Sequence, residues 1–541
     1  MTRALSVRAR VEPQPSGSLE RLFDSLSQQV TQASPLARER FATLWSDTSA
    51  MRGLAERKRG PLPADLAGEL SDYHRRLGAP PASLAALERL SRGDAVCSVA
   101  GQQPAPLGGP LYALHKTACA VGLAERVAER TGTPCVPLYW THAEDSDFAE
   151  IRSVTVADAA LQLHDLALPD AMHREGELVG GLPAAPATPV AALASEALAK
   201  WSGLPGHEAA GRLLKQAFSG ARDFGELQSA LMLGLFGERG LVVVDPRLPA
   251  FRRAARAVIE RYLARAEDLA RAVSQAGARL EDRIGRRPLA DSALESFVFA
   301  VTDGARRKLS VAEARQGGSA LVLTPSVALR PVVQDAVLPT VAMACGPGEL
   351  AYLAQLRELF AGLDVQAAAP VPRFAATWLP PAAVDLIETS GQEPWDVVAE
   401  TDLVLKRLAE QRVPAELRSA LELSRAQAFA GLERFASLAT RVDGSLPQLV
   451  ESARGKVDYQ YARLLEGLTG KVRHRLEREH PEWLRLRYYL APGDRLQERR
   501  LAALEPVAYR GAGLGGELAD LAAEHAAALE AGTLHHYLVD L

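Results

Sequence analysis

At 541 residues and 48% hydrophobic content, the chain exceeds what one core usually organises and predicts a large unit with at least one appended element. Its 62 basic and 66 acidic residues leave a formal charge of -4, so no general attraction to phosphate backbones or anionic lipid exists, and neither nucleic acid nor a membrane is an expected partner. Cys97, Cys119, Cys135 and Cys345 include no Cys-x-x-Cys pair, which fits neither a disulfide framework nor a structural zinc site. The opening Met1-Thr2-Arg3-Ala4-Leu5 has no apolar signal core before the polar run through Ser16, and no uncharged apolar stretch reaches spanning length; a cytoplasmic location is expected.

Residues 1–92 read as a charged helical wrap, with apolar residues at three- and four-residue spacing from Leu36 to Arg57 and from Ala64 to Leu77. From Ala95 an apolar run to Ala100 meets a Gly/Pro-rich loop, then a helical stretch from about Pro110 to Thr131 and a second run from Pro134 to Trp140. Strand, loop, helix and strand in that order form a βαβ unit, hence parallel strands with a right-handed crossover and ligands at the strand ends. Residues 166–192, rich in Pro, Ala and Gly, read as a surface connection. Leu241 to Val244 is another buried strand and Ala320 to Leu323 a further candidate. Pro339 to Ala344, Gly346-Pro347-Gly348-Glu349 and a helix to Phe360 repeat the first unit's order, which would set two such corners against one crevice.

From about 398 to 478 strand signals vanish. Leu417, Leu421, Ala428, Phe435, Leu438 and Val442 follow one helical stripe, and Val450, Ala453, Val457, Tyr461, Leu464, Leu468, Val472 and Leu476 another, with Asp443-Gly444-Ser445 between them. The pattern makes either two ordinary core helices or an antiparallel hairpin whose apolar stripe pairs with a second copy, a homodimer being the simplest form. The tail from Pro492 carries Leu514, Leu518 and Leu521 at helical spacing and a closing strand from His535 to Val539, and is expected to rejoin the core.

Three segments carry the chemistry. In Gly101-Gln102-Gln103 through Gly108-Gly109-Pro110-Leu111-Tyr112, followed by His115-Lys116, glycines after a strand permit close backbone approach and the next helix offers N–H groups to an anion. The spacing is neither a P-loop nor a dinucleotide fingerprint, and a purely structural turn remains the alternative. Trp140-Thr141-His142-Ala143-Glu144-Asp145-Ser146-Asp147 follows the second strand; its three carboxylates repel one another, which suits a general base, an amine site or magnesium, or else a solvated turn. Arg330 to Asp335 leads towards Gly348, Glu349 and Tyr352; Arg330 either clamps a carboxylate or phosphate or pairs with Asp335. No histidine pair has metal-ligand spacing, so no metal site is expected.

Taken together, Gly101-Gln102-Gln103, Gly108 to Tyr112 with Lys116, Glu144-Asp145 with Asp147-Phe148, Arg330 to Asp335 with Leu338-Pro339-Thr340, Gly346 to Tyr352, and Leu496-Gln497-Glu498-Arg499 resemble the bacillithiol cysteine-adding family, BshC. The resemblance implies an α/β, Rossmann-like core over 93–385 with insertions at about 165–240 and 250–315. It also implies a coiled-coil dimer arm over 386–480 and a returning segment over 481–541. It implies a cysteine ligase that joins L-cysteine to the amine of glucosaminyl-malate, and because a carboxylate is a poor electrophile, activation by ATP with magnesium is expected. Glu144, Asp145 and Asp147 become the catalytic candidates. Gly101, Gln102, Gln103, Gly108, Gly109, Tyr112, Lys116, Trp140, His142, Arg330, Gln334, Gly348, Glu349 and Tyr352 become the substrate- or anion-binding ones. Two positions depart from the family's usual reading: Ser146 stands where histidine is usual and His115 where tyrosine is common. A synthetase-like adenylating enzyme and a nucleotide-sensing scaffold are the rivals. Convergence of Glu144, Asp145, Asp147 and Arg330 in one pocket favours the ligase, and their dispersal favours the scaffold.

Overall fold

The computed structural model describes residues 5–13, 23–443 and 445–541; the readings at Met1 to Ala4, Ser16 and Gly444 lie outside these residues. In chain order the strands are β1 (Ser6–Val11), β2 (Val96–Gln102), β3 (Cys135–Thr141), β4 (Ser153–Ala157), β5 (Leu163–Ala167), β6 (Val242–Val244), β7 (Val298–Thr302), β8 (Ala305–Lys308), β9 (Val322–Pro325), β10 (Thr340–Cys345), β11 (Ala369–Pro372), β12 (Ala376–Leu379) and β13 (His536–Asp540). Five form one wholly parallel sheet in the order β11-β10-β2-β3-β6. Within that sheet the chain runs outward from β2 through β3 to β6, then returns to β2's other side for β10 and β11. This is the doubly wound Rossmann order, with its reversal between β2 and β10.

Burial on both faces explains the uninterrupted apolar runs of these strands. Along β2, Val96 and Ala100 pack into one apolar cluster and Cys97 and Val99 into the other; along β3, Tyr139 opposes Val136, Leu138 and Trp140. The helix Leu111–Thr131 crosses from β2 to β3 and is itself overlaid by Leu514–Glu530. A Cβ on Gly122 would lie 2.5 Å from the Ala523 nitrogen, so glycine is what lets these two helices touch. Through that contact the tail rejoins the sheet, and β13 closes a second sheet between β1 and β12.

Several expectations need correction. Within the segment read as helical, Ser6–Val11 is a strand antiparallel to β13; Val7, Ala9 and Val11 alternate with Arg8 and Arg10, a period of two that fits a half-covered edge. The 166–192 connection is not merely superficial, because Leu168, Leu178, Val179, Leu182 and Ala184 are buried. The candidate near Ala320 becomes β9, which joins β7 and β8 in a separate antiparallel sheet rather than the parallel core. The helix read as running to Phe360 breaks into Pro347–Gln355 and Arg357–Gly362.

The helices Ala415–Ala439 and Leu446–Glu479 form the long arm. Arg425 bonds Asp458 at 2.7 Å and Arg454 approaches Glu433 at 3.6 Å, so the two run antiparallel. Among the described residues no helix is long and apolar enough to cross a membrane.

Candidate functional site

A cleft of about 570 Å³ lies over the carboxyl ends of the parallel sheet, where the reversal between β2 and β10 splays the following loops apart. Every strand end of the sheet supplies residues to it: Gln102 and Gln103 at the end of β2, His142, Glu144 and Asp145 after β3, Pro246 after β6, Gly346 to Glu349 after β10, and Arg373 after β11. Arg330 and Tyr352 enter from the helices Arg330–Val337 and Pro347–Gln355. The β7–β8 hairpin adds Phe299, Arg306 and Lys308.

At the centre, Arg330 donates to His142 Nε2 at 2.8 Å and to the Tyr352 hydroxyl at 2.9 Å. Burial, Arg330 and Lys116 together push His142 well below the ordinary histidine range, so the ring is neutral and its Nε2 accepts. Lys116 is buried and committed, lying 2.7 Å from Glu349 Oε2 and donating to the Gly101 carbonyl at 2.8 Å. On the β11 side, Arg373 holds Glu498 through two guanidinium nitrogens. Glu498 also bonds His115 Nδ1 at 3.1 Å, and His115 Nε2 accepts from Trp378 at 2.9 Å. Burial opposes the Glu498 charge, yet Arg373 and His115 hold its carboxyl well below the ordinary range.

Beyond β3 lies the acidic corner. Burial raises Glu144 to about 7 against the pull of Arg252, which donates to it at 2.8 and 3.0 Å. Asp145 accepts from Arg306 at 2.6 Å, from Gln103 at 3.0 Å and from the Ser146 amide at 2.7 Å. Arg306 also donates to the Ser146 hydroxyl at 2.9 Å and stacks over Phe299. The 166–192 segment braces this loop: Val179 N–H donates to the Asp145 carbonyl at 2.8 Å and Gly180 N–H to that of Ala143 at 3.1 Å.

Of the sequence candidates, Gln102, Gln103, Tyr112, Lys116, Trp140, His142, Glu144, Asp145, Arg330, Gly348, Glu349 and Tyr352 line this cleft. Five do not. Gly101 sits behind it, where a Cβ would lie 2.7 Å from His142 Nε2 and the Trp140 carbonyl. Gly108 and Gly109 adopt positive φ beneath the tail: Leu111 N–H donates to Leu501 at 2.8 Å and Ala503 N–H to Gly109 at 2.7 Å. The anion site expected at that helix start is therefore covered. Asp147 is exposed and caps the short Phe148–Ile151 turn, and Gln334 is buried against Asp335. Arg330 does not pair with Asp335, which bonds Thr340 and the Ala368 amide instead.

Sequence reading misses Glu150, Arg306, Lys308, Arg373 and Arg499, all of which line the cleft, and Arg252, which holds Glu144. Arg499 belongs to a motif that the resemblance includes. Arg306 stands in the basic run Arg306-Arg307-Lys308 next to a Gly turn, the one local sign of a hairpin reaching for carboxylates. Among the described residues, no three His, Cys, Asp or Glu side chains converge as a metal cluster.

The family model described as "Bacillithiol biosynthesis BshC, N-terminal Rossmann-like domain" matches residues 16–320 and 314–374. A protein of Koribacter versatilis (strain Ellin345) named "Putative cysteine ligase BshC" is 30% identical over 475 residues, covering 84% of this chain and 87% of its own. Proteins of the same name from Solibacter usitatus (strain Ellin6076) and Geobacillus kaustophilus (strain HTA426) are each 29% identical over 80% of this chain, and over 84% and 83% of their own. With the model spanning all five strands of the parallel sheet and the relatives continuing beyond it, the chain belongs to the BshC family of bacillithiol biosynthesis.

Proposed function

We propose that this protein is a carbon–nitrogen ligase that joins L-cysteine to the amine of glucosaminyl-malate, forming bacillithiol, with ATP activating the cysteine carboxylate. The observation that carries this reading is the convergence of Glu144, Asp145, Arg330 and Arg499 on one cleft at the carboxyl ends of the parallel sheet. The two carboxylates of malate suit Arg330 and Arg499 beside the start of the Pro347–Gln355 helix, Arg373 being spent on Glu498. The amine belongs in the acidic corner. A Glu144 that titrates at about 7 takes the proton from nitrogen as the C–N bond forms.

ATP, when bound, would supply the activation of the cysteine carboxylate. The amine lone pair would form the C–N bond as the activated C–O bond breaks, the phosphate-bearing oxygen leaving with its electron pair. Glu144 and Asp145 are each held by an arginine, and among the described residues no cluster of carboxylates is left to hold magnesium. The arm serves a homodimer in this reading, because Phe435, Leu438, Val442 and Leu449 are each more than half exposed. Leu438→Lys should convert a dimer to monomer by light scattering, and an unchanged mass would remove the arm from the interface.

The test is mass-spectrometric detection of bacillithiol from purified protein, cysteine and glucosaminyl-malate, with and without ATP and magnesium. Product only with ATP supports the full reading, and product without it removes the activation route. A second reading, a related amino-sugar acceptor, is favoured by Ser146, whose hydroxyl is taken up by Arg306 where the family usually has histidine. Folded protein that leaves glucosaminyl-malate unreacted but acylates another amino sugar selects that reading.

A further inference from the structure

A second cavity, of about 400 Å³, lies behind the helices that carry Arg330 and Tyr352, and none of its lining residues belongs to the cleft. Its size falls in the range of small-molecule sites. Phe41, Leu54, Met343, Leu353 and Phe360, all buried, give it apolar walls. Two polar groups in it lack protein partners among the described residues. The Thr43 side chain, 8% exposed, makes no hydrogen bond, and the exposed Arg357 guanidinium makes neither a hydrogen bond nor an ion pair.

The charge of the lining selects the ligand. Arg57, exposed at the rim, bonds only the neutral Gln366, at 3.1 Å. Arg40 is neutralised by Glu358 at 2.7 Å. Asp335 is the single lining carboxylate, and its oxygens are spent on Thr340, Gln334 and the Ala368 amide. Among the described residues, two arginines therefore face the opening with no carboxylate to answer them. We propose that this cavity binds a small amphipathic anion, with an aryl or short acyl body against the apolar walls, its carboxylate or sulfonate at Arg57 and Arg357, and Thr43 hydrogen-bonded to it. The site does not rest on the ligase reading. Its walls include Pro331 and Leu353, the neighbours in sequence of Arg330 and Tyr352, so an occupant would press on the two helices that position those residues.

Titration of the full chain with 8-anilinonaphthalene-1-sulfonate, followed by fluorescence, tests it. One saturable site per chain is expected, at least tenfold weaker in Arg357→Glu and in Ala361→Trp, which narrows the opening. The affinity should be unchanged in Arg499→Glu, which alters only the cleft. Circular dichroism selects folded variants, and either cavity variant alone suffices. Absence of saturable binding, equal affinity in both cavity variants, or weakening by Arg499→Glu alone would overturn the proposal.

Discussion

Two corners of this molecule share the order strand, glycine loop, helix, and they end in opposite circumstances. After β2, the loop through Gly108 and Gly109 enters the Leu111–Thr131 helix beneath a cover: Pro110 bridges to Ala502, and the Leu111 amide is taken by Leu501. After β10, Gly346 to Glu349 enters the Pro347–Gln355 helix in the open. Gly348 lines the cleft and no atom lies within 4 Å of where its Cβ would be, while Glu349 Oε2 takes the Gly346 N–H at 2.9 Å. Glycine content sets what a backbone can do, but the segment packed on it decides whether a ligand can reach it. The covered corner is architecture, and the open one is where the proposed function places the anion.

The largest effect is expected from unfastening the cover. Glu498 lies within the covering segment and is held by Arg373 and His115 in a buried setting. Arg373→Ala strands that carboxylate and should destabilise the fold by about 3–5 kcal/mol in denaturant unfolding. A loss under about 1 kcal/mol would mean other contacts hold the tail. Because Glu498 is held below the ordinary carboxylate range, its stabilisation is present above the unfolded pKa and lost as pH falls through and below it. The variant should lose that acid dependence.

At the open corner the effect moves from stability to turnover. Arg330→Ala removes donors to His142 and Tyr352 and, in the proposed function, a carboxylate clamp. A fall of about 10- to 100-fold in kcat/KM with little change in unfolding is expected, the size of one charge-assisted contact. Turnover within twofold of the parent would remove Arg330 from substrate binding. Glu144→Gln sharpens the acidic side. If Glu144 is the base, kcat/KM in the parent rises with pH until about 7 and then levels, and the variant loses this limb along with most of its rate. The same burial disfavours the folded carboxylate, so Glu144's contribution to stability declines between the ordinary range and about 7.

Much of this is legible in the sequence because the parallel core is made of local signals. Val96 to Ala100, Val136 to Trp140 and Val242 to Val244 are apolar on both faces; the first and third end at Gly101 and Asp245, and the second runs through Thr141 into the acidic Glu144-Asp145 turn. Residues beyond those ends therefore converge, which is why Gln103, Glu144 and Glu349 can be picked out from the chain alone. The hidden part depends on distant partners. Nothing near Gly108 announces that Leu501 and Ala503 will cover it, since the contact spans nearly four hundred residues. Arg306 and Arg373 look like ordinary surface cations until a hairpin and an edge strand bring them over the cleft. Alternation in Ser6 to Val11 is visible, but a six-residue strand before a long helical stretch is easily absorbed into it.

The smallest effect separates the two corners by sign. Gly109 has φ 87°, ψ -167°, a conformation side chains rarely adopt, so Gly109→Ala should destabilise by about 1 kcal/mol or more although a methyl would meet only ordinary contacts. Gly348 sits in the first turn of a helix with open space around it, where alanine restricts the unfolded chain without strain. Gly348→Ala should therefore stabilise by about 0.5–1 kcal/mol while raising KM modestly, since its methyl enters the proposed anion site. Paired unfolding curves decide the matter. If both variants lose stability, the second corner is also packed and the assignment of the anion to it fails; if the signs differ and only the Gly348 variant changes KM, the open corner is where the substrate sits.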